Sequence, residues 1–394
     1  MTKSSRILRD GLAIALAACV ACQPALALVT LNDGHDHIDV TASFGVTHDS
    51  NIFAAAGSTG DTIYNGNISA AYTRRAGWIG INANTSIASA HFGKTKEQSF
   101  DDPNLSVELT KNTGRTKGSL TLSAARESRA DPAINTRATL WNYSSGLNFR
   151  YHIYGAYDLS GTLGYSQRDY VQDQVFSNLS TYTTSLDLFH VFSAERDASI
   201  GYRYRYSETS RDTASTDHGI NLGLYGRIVR GLNGSVRFGY QTRIPEGKAS
   251  GDQSYQSWTA SGSLNYPITK KFNLSAQIGK DFSTTATATS VDALSASLDA
   301  QYSFSSRWGL SSSVGWSDSR FIGDNGRVVL SFGPPLVLGP GRHDTNMTWS
   351  VSTSYAFSEH LKLSLSYSWF ENWSNIDFAD FVRSAVSAGV TSHW

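Results

Sequence analysis

Along most of the chain, apolar and polar side chains alternate one for one. Leu361, Leu363, Leu365, Tyr367 and Trp369 alternate with Lys362, Ser364, Ser366 and Ser368. Phe272, Leu274, Ala276 and Ile278 alternate with Asn273, Ser275, Gln277 and Gly279, and Phe282 follows Asp281. Ile200, Tyr202, Tyr204 and Tyr206 alternate with Gly201, Arg203 and Arg205; near the start, Val40, Ala42, Phe44 and Val46 alternate with Asp39, Thr41 and Ser43. A period of two is the signature of a strand with one apolar and one polar wall. The pattern predicts about eighteen such strands, the first near 38–48 and the last near 382–393, with about sixteen as the rival count.

The connections alternate as well. Short ones fall around Arg75, Asn112, Ala194, Arg230, Lys270, Ser306 and Glu359. Polar, longer ones are expected at 49–61, 92–103, 129–139, 171–179, 208–216, 245–254, 285–290, 322–344 and 374–381. Short turns on one side and long loops on the other organise an outer-membrane barrel, and they place both chain ends on the short-turn, periplasmic side. The longest segment, 322–344, reads either as an extra hairpin folding toward the lumen or as an ordinary exposed loop.

Composition strengthens the membrane reading. Charged residues are 17% and hydrophobic residues 40%, while aromatics are 12%. The polar faces carry Ser, Asn, Gly and Gln, unlike the Lys- and Glu-rich outside of a soluble sandwich. Phe272, Phe282, Trp308, Trp316, Trp349, Phe357 and Trp369 are expected in two aromatic girdles. Ten residues along a strand, tilted by ~40°, project to about 25 Å, the height of the apolar band. In lipid an open sheet edge leaves backbone groups without partners, so the sheet must close. The fold class is therefore an all-β, antiparallel, up-and-down transmembrane barrel. A barrel of that size encloses water. Arg150, Asp158, Arg168, Asp187, Arg203, Arg205, Arg237, Asp281, Asp299, Lys362 and Arg383 fall on the inward parity and are expected to line the lumen. Both signs occur, so no strong ion selectivity follows, although Arg203, Arg205 and Arg237 hint at a basic stripe.

The chain begins with Lys3, Arg6 and Arg9, an apolar run from Gly11 to Cys22, and Ala25-Leu26-Ala27. That is a secretory signal with cleavage expected after Ala27. The alternative is a lipobox, Leu16-Ala17-Ala18-Cys19. The division is 1–27 signal, 28–37 short periplasmic leader and 38–394 barrel. The two cysteines, Cys19 and Cys22, both lie in the signal. Net charge is zero, which argues against a nucleic-acid partner. No phosphate loop, His-Glu-x-x-His or Gly-x-Ser-x-Gly motif occurs, so no cofactor, metal or catalytic residue is expected. His91, His218 and His343 lie in or near outer loops, and an enzyme site there is the minor reading.

The closing strand carries Val382, Val386, Val390 and Trp394. It resembles the terminal strand of outer-membrane proteins, which the barrel-assembly machinery reads; this marks Val386, Val390 and Trp394 as an assembly signal. Asp49-Ser50-Asn51-Ile52-Phe53 follows the first strand, and Asp49, Asn51, Ile52 and Phe53 resemble a motif of a family of outer-membrane β-barrel porins. Some members of that family are associated with exopolysaccharide operons. The resemblance implies a barrel and a pore, with polysaccharide export as an alternative. The expected partners are outer-membrane lipid and lipopolysaccharide, the assembly machinery, and small hydrophilic solutes passing by diffusion.

Overall fold

The computed structural model describes residues 29–31, 36–75, 77–171, 176–246, 254–322, 326–328, 336–338 and 341–394. The expected signal and both cysteines lie outside them. Eighteen strands run in chain order. They are β1 Asp36–Asp49, β2 Asp61–Arg74, β3 Gly80–Phe92, β4 Phe100–Lys111, β5 Thr116–Asp131, β6 Thr136–Tyr154, β7 Tyr157–Tyr170, β8 Leu179–Ser193 and β9 Arg196–Thr209. Then follow β10 Ala214–Val229, β11 Leu232–Glu246, β12 Tyr255–Pro267, β13 Phe272–Thr284, β14 Ser290–Ser303, β15 Trp308–Ile322, β16 His343–Ala356, β17 Leu361–Ser374 and β18 Phe381–His393.

Each strand pairs antiparallel with its chain neighbours. The ring closes where β1 meets β18, from Thr41↔His393 to Asp49↔Ala385. Beyond the ladder, Val40 and Trp394 exchange backbone hydrogen bonds of 2.7 and 2.8 Å, and Trp394 stacks on His360. Closure gives each of the eighteen strands a paired neighbour on both sides, so none of them is an edge strand. Val29–Leu31 pairs with Asp36–Ile38 as a short extra strand.

The register sorts the two faces. Leu186, Tyr202, Ile220, Tyr240 and Trp258 lie side by side on consecutive strands, and all are exposed in the isolated chain. The same outward belt runs round the barrel, where lipid covers it. Rings concentrate at its margins. At the short-turn rim Phe272, Tyr302, Phe304 and Trp308 form a chain of contacts. Toward the long-loop rim Tyr165, Tyr182 and Tyr206 form another.

Trp316, Trp349 and Trp369 keep the outward parity, and Phe357, just past the end of β16, is exposed. Phe282 does not serve as a girdle residue: it is 2% exposed and lies beneath the guanidinium of Arg243. Its strand bends inward there. Several outer connections are also shorter than expected. The 129–139 and 208–216 loops reduce to turns at 132–135 and 210–213 because their flanking strands extend further. Within 322–344, Gly326–Val328 and Leu336–Leu338 form a small antiparallel ladder separate from the barrel.

Two ladders stop early on the long-loop side. Between β4 and β5 the last pair is Asn104↔Ala125. The next residue, Pro103, has no N–H to give. Past that point the Asp102 carboxylate bonds across to β5, accepting Ser128 N–H at 2.7 Å and the Ser128 hydroxyl at 3.0 Å. Between β12 and β13 the ladder ends at Ala260↔Lys280, although β12 begins at Tyr255 and β13 continues to Thr284. The end of β13 and the start of β14 lean into the lumen from this point.

Candidate functional site: the lumen and its outer mouth

Most of the inward wall is uncharged. On β12 to β18 it is largely serine, including Ser261, Ser263, Ser295, Ser297, Ser311, Ser313, Ser350, Ser352, Ser364, Ser366 and Ser387, placed by the register of successive pairs. On β2 to β4 it carries Asn65, Asn67, Asn82, Asn84 and Asn104. A bay of about 330 Å³ lies against Ser43, Thr47, Asn65, Asn67, Ser364 and Ser387. Asp299 stands among these serines, between Ser275 and Ser313. Lys362 pairs in register with Ala356 and Thr391 near the short-turn end.

Charge is concentrated on β8 to β11. Arg203 lies between Ser185 and Gly219, and Arg205 between Thr183 and Asp217. Arg243, which sequence parity could have marked but did not, donates to both Asp217 oxygens at 2.7 and 2.9 Å. Both of these side chains are almost fully buried. Charges so far from water are tolerable only when paired and hydrogen-bonded. Arg205 Nε supplies Asp217 with a further bond of 2.7 Å. Further down the same wall, Arg237 pairs with Asp187 at 3.0 Å and contacts the Tyr225 hydroxyl. Glycine makes this crowding possible: a Cβ on Gly201 would sit 1.9 Å from Asp187 Oδ1. Among the described residues, Asp187 Oδ1, Ser199 Oγ, Asn221 Oδ1 and Gln241 Nε2 lack a protein partner in this strip.

The β13–β14 hairpin joins this network from the side. Asp281 receives two bonds from Arg203, at 2.8 and 3.0 Å, and two from Arg205, at 3.0 and 3.3 Å. Arg205 also reaches Phe282 O, and Arg243 reaches Ser283 O and Ser290 Oγ. These contacts explain why Phe282 leaves the lipid surface. At the bend, Lys280 pairs with Asp292 beneath the Trp258 ring.

Elsewhere, Arg150 is held by Asp158 and Asp197, each at 2.7 Å, over the Phe189 ring. Arg168 is inward and exposed, opposite Asn142 and Leu179. Arg383 grips Asp49 through Nη2 at 2.6 Å and Nε at 3.1 Å. Parity thus places Arg150, Asp158, Asp187, Arg203, Arg205, Arg237 and Asp281 on inward positions. It does not reveal that they are bound to one another.

The mouth on the long-loop side is bridged by loops. Arg342 is 2% exposed. It forks onto Asp344 and donates to Ala133 O at 2.8 Å and Pro132 O at 3.2 Å. The turn 132–135 joins β5 to β6, opposite β16 in an eighteen-strand ring, so these bonds span the opening. Asn135 Nδ2 donates to Ala54 O at 3.0 Å, and Arg137 reaches Ile52 O.

Two small apolar cores support the bridge. One is Ile134, Ala138, Leu140, Tyr170, Phe176 and Ala286. The other is Ile52, Ile63, Ala90 and Phe92, with Phe53 and Phe100 against it. The motif at 49–53 belongs to this second core. Asp49 accepts Asn51 N–H at 2.9 Å, an Asx turn, and Asn51 Nδ2 bonds Ala55 O. The turn directs Ile52, fully buried, inward under the mouth. Ala54, Asn135 and Ala288 have φ of 54, 52 and 61°, a strained region for side-chain-bearing residues. Their clustering at the mouth indicates backbone held by tertiary contacts.

His218 meets the Tyr202 hydroxyl, and His343 meets Asp318. Among the described residues no group of three metal-binding side chains occurs.

No protein-family model matches the sequence, and no curated protein matches it. Among solved structures the chain is similar to OccK2 (OpdF) of Pseudomonas aeruginosa, at 11% identity over 93% of this chain and 99% of that one, TM-score 0.48. It is similar to OccAB2 of Acinetobacter baumannii, at 11% identity over 93% and 99%, TM-score 0.47. It also resembles the FrpB iron transporter of Neisseria meningitidis, at 10% identity over 86% of this chain, TM-score 0.46, and spans 62% of that transporter's length. These are likenesses of barrel form, and the chemistry of the lumen stands on its own residues.

Proposed function

We propose that the chain is a bacterial outer-membrane barrel through which small hydrophilic solutes pass by diffusion, with its outer loops setting what enters. The observation that carries this reading is the division of the wall. The outer surface is an apolar belt with ring-rich margins, and the inner surface is serine, asparagine and paired charge. An eighteen-strand barrel leaves room for an aqueous channel. The bridged mouth favours a restricted passage over a permanently open one. In this reading residues 1–27 direct export, and Val386, Val390 and Trp394 serve the assembly machinery while closing the ring. Purified protein in planar bilayers tests the proposal. Stepwise conductance that rises when the mouth contacts are cut is expected; no current in either form would falsify it.

A further inference from the structure

The tip of the β13–β14 hairpin forms part of the mouth. Ala286 belongs to the apolar core there, and its carbonyl accepts Ser177 N–H at 2.7 Å. The tip's strand is not laddered to β12 past Lys280. On that side, side-chain contacts hold it in place of backbone pairs. The central contact is Asp281, received by two guanidinium forks. Around it stand three arginines, 203, 205 and 243, against two aspartates, 217 and 281. The cluster therefore carries a surplus positive charge. It is also reachable from the lumen, since the Arg203 and Asp281 side chains are 25% and 37% exposed.

Two forks converging on one accessible carboxylate, with positive charge to spare, make a carboxylate-binding site. We propose that Arg203 and Arg205 form such a site, that the chain's own Asp281 occupies it in the closed barrel, and that a small carboxylate solute entering the lumen displaces Asp281 and frees the hairpin tip from the mouth. This rests on the channel reading and adds to it a solute class and a means of opening. Asp281 competes as a tethered group at an effective concentration in roughly the millimolar range. Free carboxylate must reach a similar concentration to displace it. Lys280 and Asp292, paired where the ladder ends, mark the hinge.

Thr287 sits in the tip and is 6% exposed. In a chain with Cys19 and Cys22 replaced by serine, Thr287→Cys reports tip release through its rate of reaction with a polar maleimide. Folding of each variant is checked first by heat-dependent gel mobility. Succinate is expected to accelerate labelling saturably, by about tenfold, while glucose and sodium chloride of matched ionic strength do not. Asp281→Asn, or Asp281→Ser if the first folds poorly, is expected to label fast without succinate. Arg203→Gln is expected to lose the succinate response. Equal acceleration by sodium chloride overturns the proposal, because it shows screening alone. So does slow labelling of both Asp281 variants, or a wild-type rate indifferent to succinate. The readout does not depend on conductance. Succinate-dependent labelling without current removes the channel reading only, whereas current with succinate-independent labelling removes this one only.

Discussion

Arg342 Nη1 donates to the carbonyl of Ala133 at 2.8 Å, and these two residues start from opposite walls of the barrel. The guanidinium is pinned three ways. Asp344 takes its Nε and Nη2, the 132–135 turn takes the remaining donors, and Phe321 covers its face at 4.5 Å. A buried arginine so arranged has no slack, and its loss leaves Asp344 without its counter-ion, accepting from the Ser374 hydroxyl.

Replacing Arg342 alone therefore confounds opening with a stability cost of about 3–5 kcal/mol for an orphaned buried charge. The double variant Arg342→Gln, Asp344→Asn removes both charges. Its unfolding midpoint is expected to stay near that of the parent, while open-channel current in planar bilayers increases. A current unchanged from the parent, in a folded double variant, would show that the bridge does not restrict passage.

The division of the wall makes a prediction of opposite cost on opposite faces. Leu222 is outward and 63% exposed in the isolated chain; Ser297 is inward, between Gln277 and Gly315. Leu222→Arg is expected to destabilise the barrel in lipid by about 2–4 kcal/mol, and Ser297→Arg by much less. Urea unfolding in phospholipid vesicles measures both. Equal costs would contradict the assignment of faces.

Much of this was legible in the sequence, because a strand's period is short and each face repeats it. Parity alone placed Arg203, Arg205, Arg237 and Asp281 on one wall. It did not join Asp217 to Arg205 and Arg243, which requires the exact register of three consecutive strands, and it could not join Arg342 to Ala133, which lie far apart in the chain. Phe282 shows the limit of the period. It has the outward parity of Phe272, but the ladder that would keep it there ends at Lys280, and three arginines draw the strand inward. Pro103 did carry a readable signal, a missing donor within a strand. The role of Asp102 beside it required the neighbouring strand.

That pair offers a local test. Asp102 accepts the Ser128 N–H beyond the point where the β4–β5 ladder ends. Asp102→Ala leaves that N–H without this partner, at an expected cost of about 1–3 kcal/mol. Asp102→Asn retains an acceptor oxygen and is expected to cost less. Amide exchange at Ser128 should quicken in the alanine variant alone. Protection surviving in Asp102→Ala would mean that the carboxylate does not substitute for the ladder.

Asp49 stands where barrel closure and mouth meet. Its carboxylate receives Arg383 from β18 and, through Oδ1, the Asn51 N–H that starts the first outer loop. Asp49→Asn is expected to weaken the Arg383 contact while an amide oxygen still accepts from Asn51. Asp49→Ala removes both, and with them the turn that sends Ile52 into its core. The asparagine variant should lose about 1–2 kcal/mol and the alanine variant about 2–4 kcal/mol. The two differ in kind as well as amount. If the turn positions Ile52 and Phe53 beneath the mouth, the alanine variant alone should show increased, flickering current in bilayers, while the asparagine variant stays close to the parent. Identical currents in the two variants would leave Asp49 a purely structural clasp between the first and last strands.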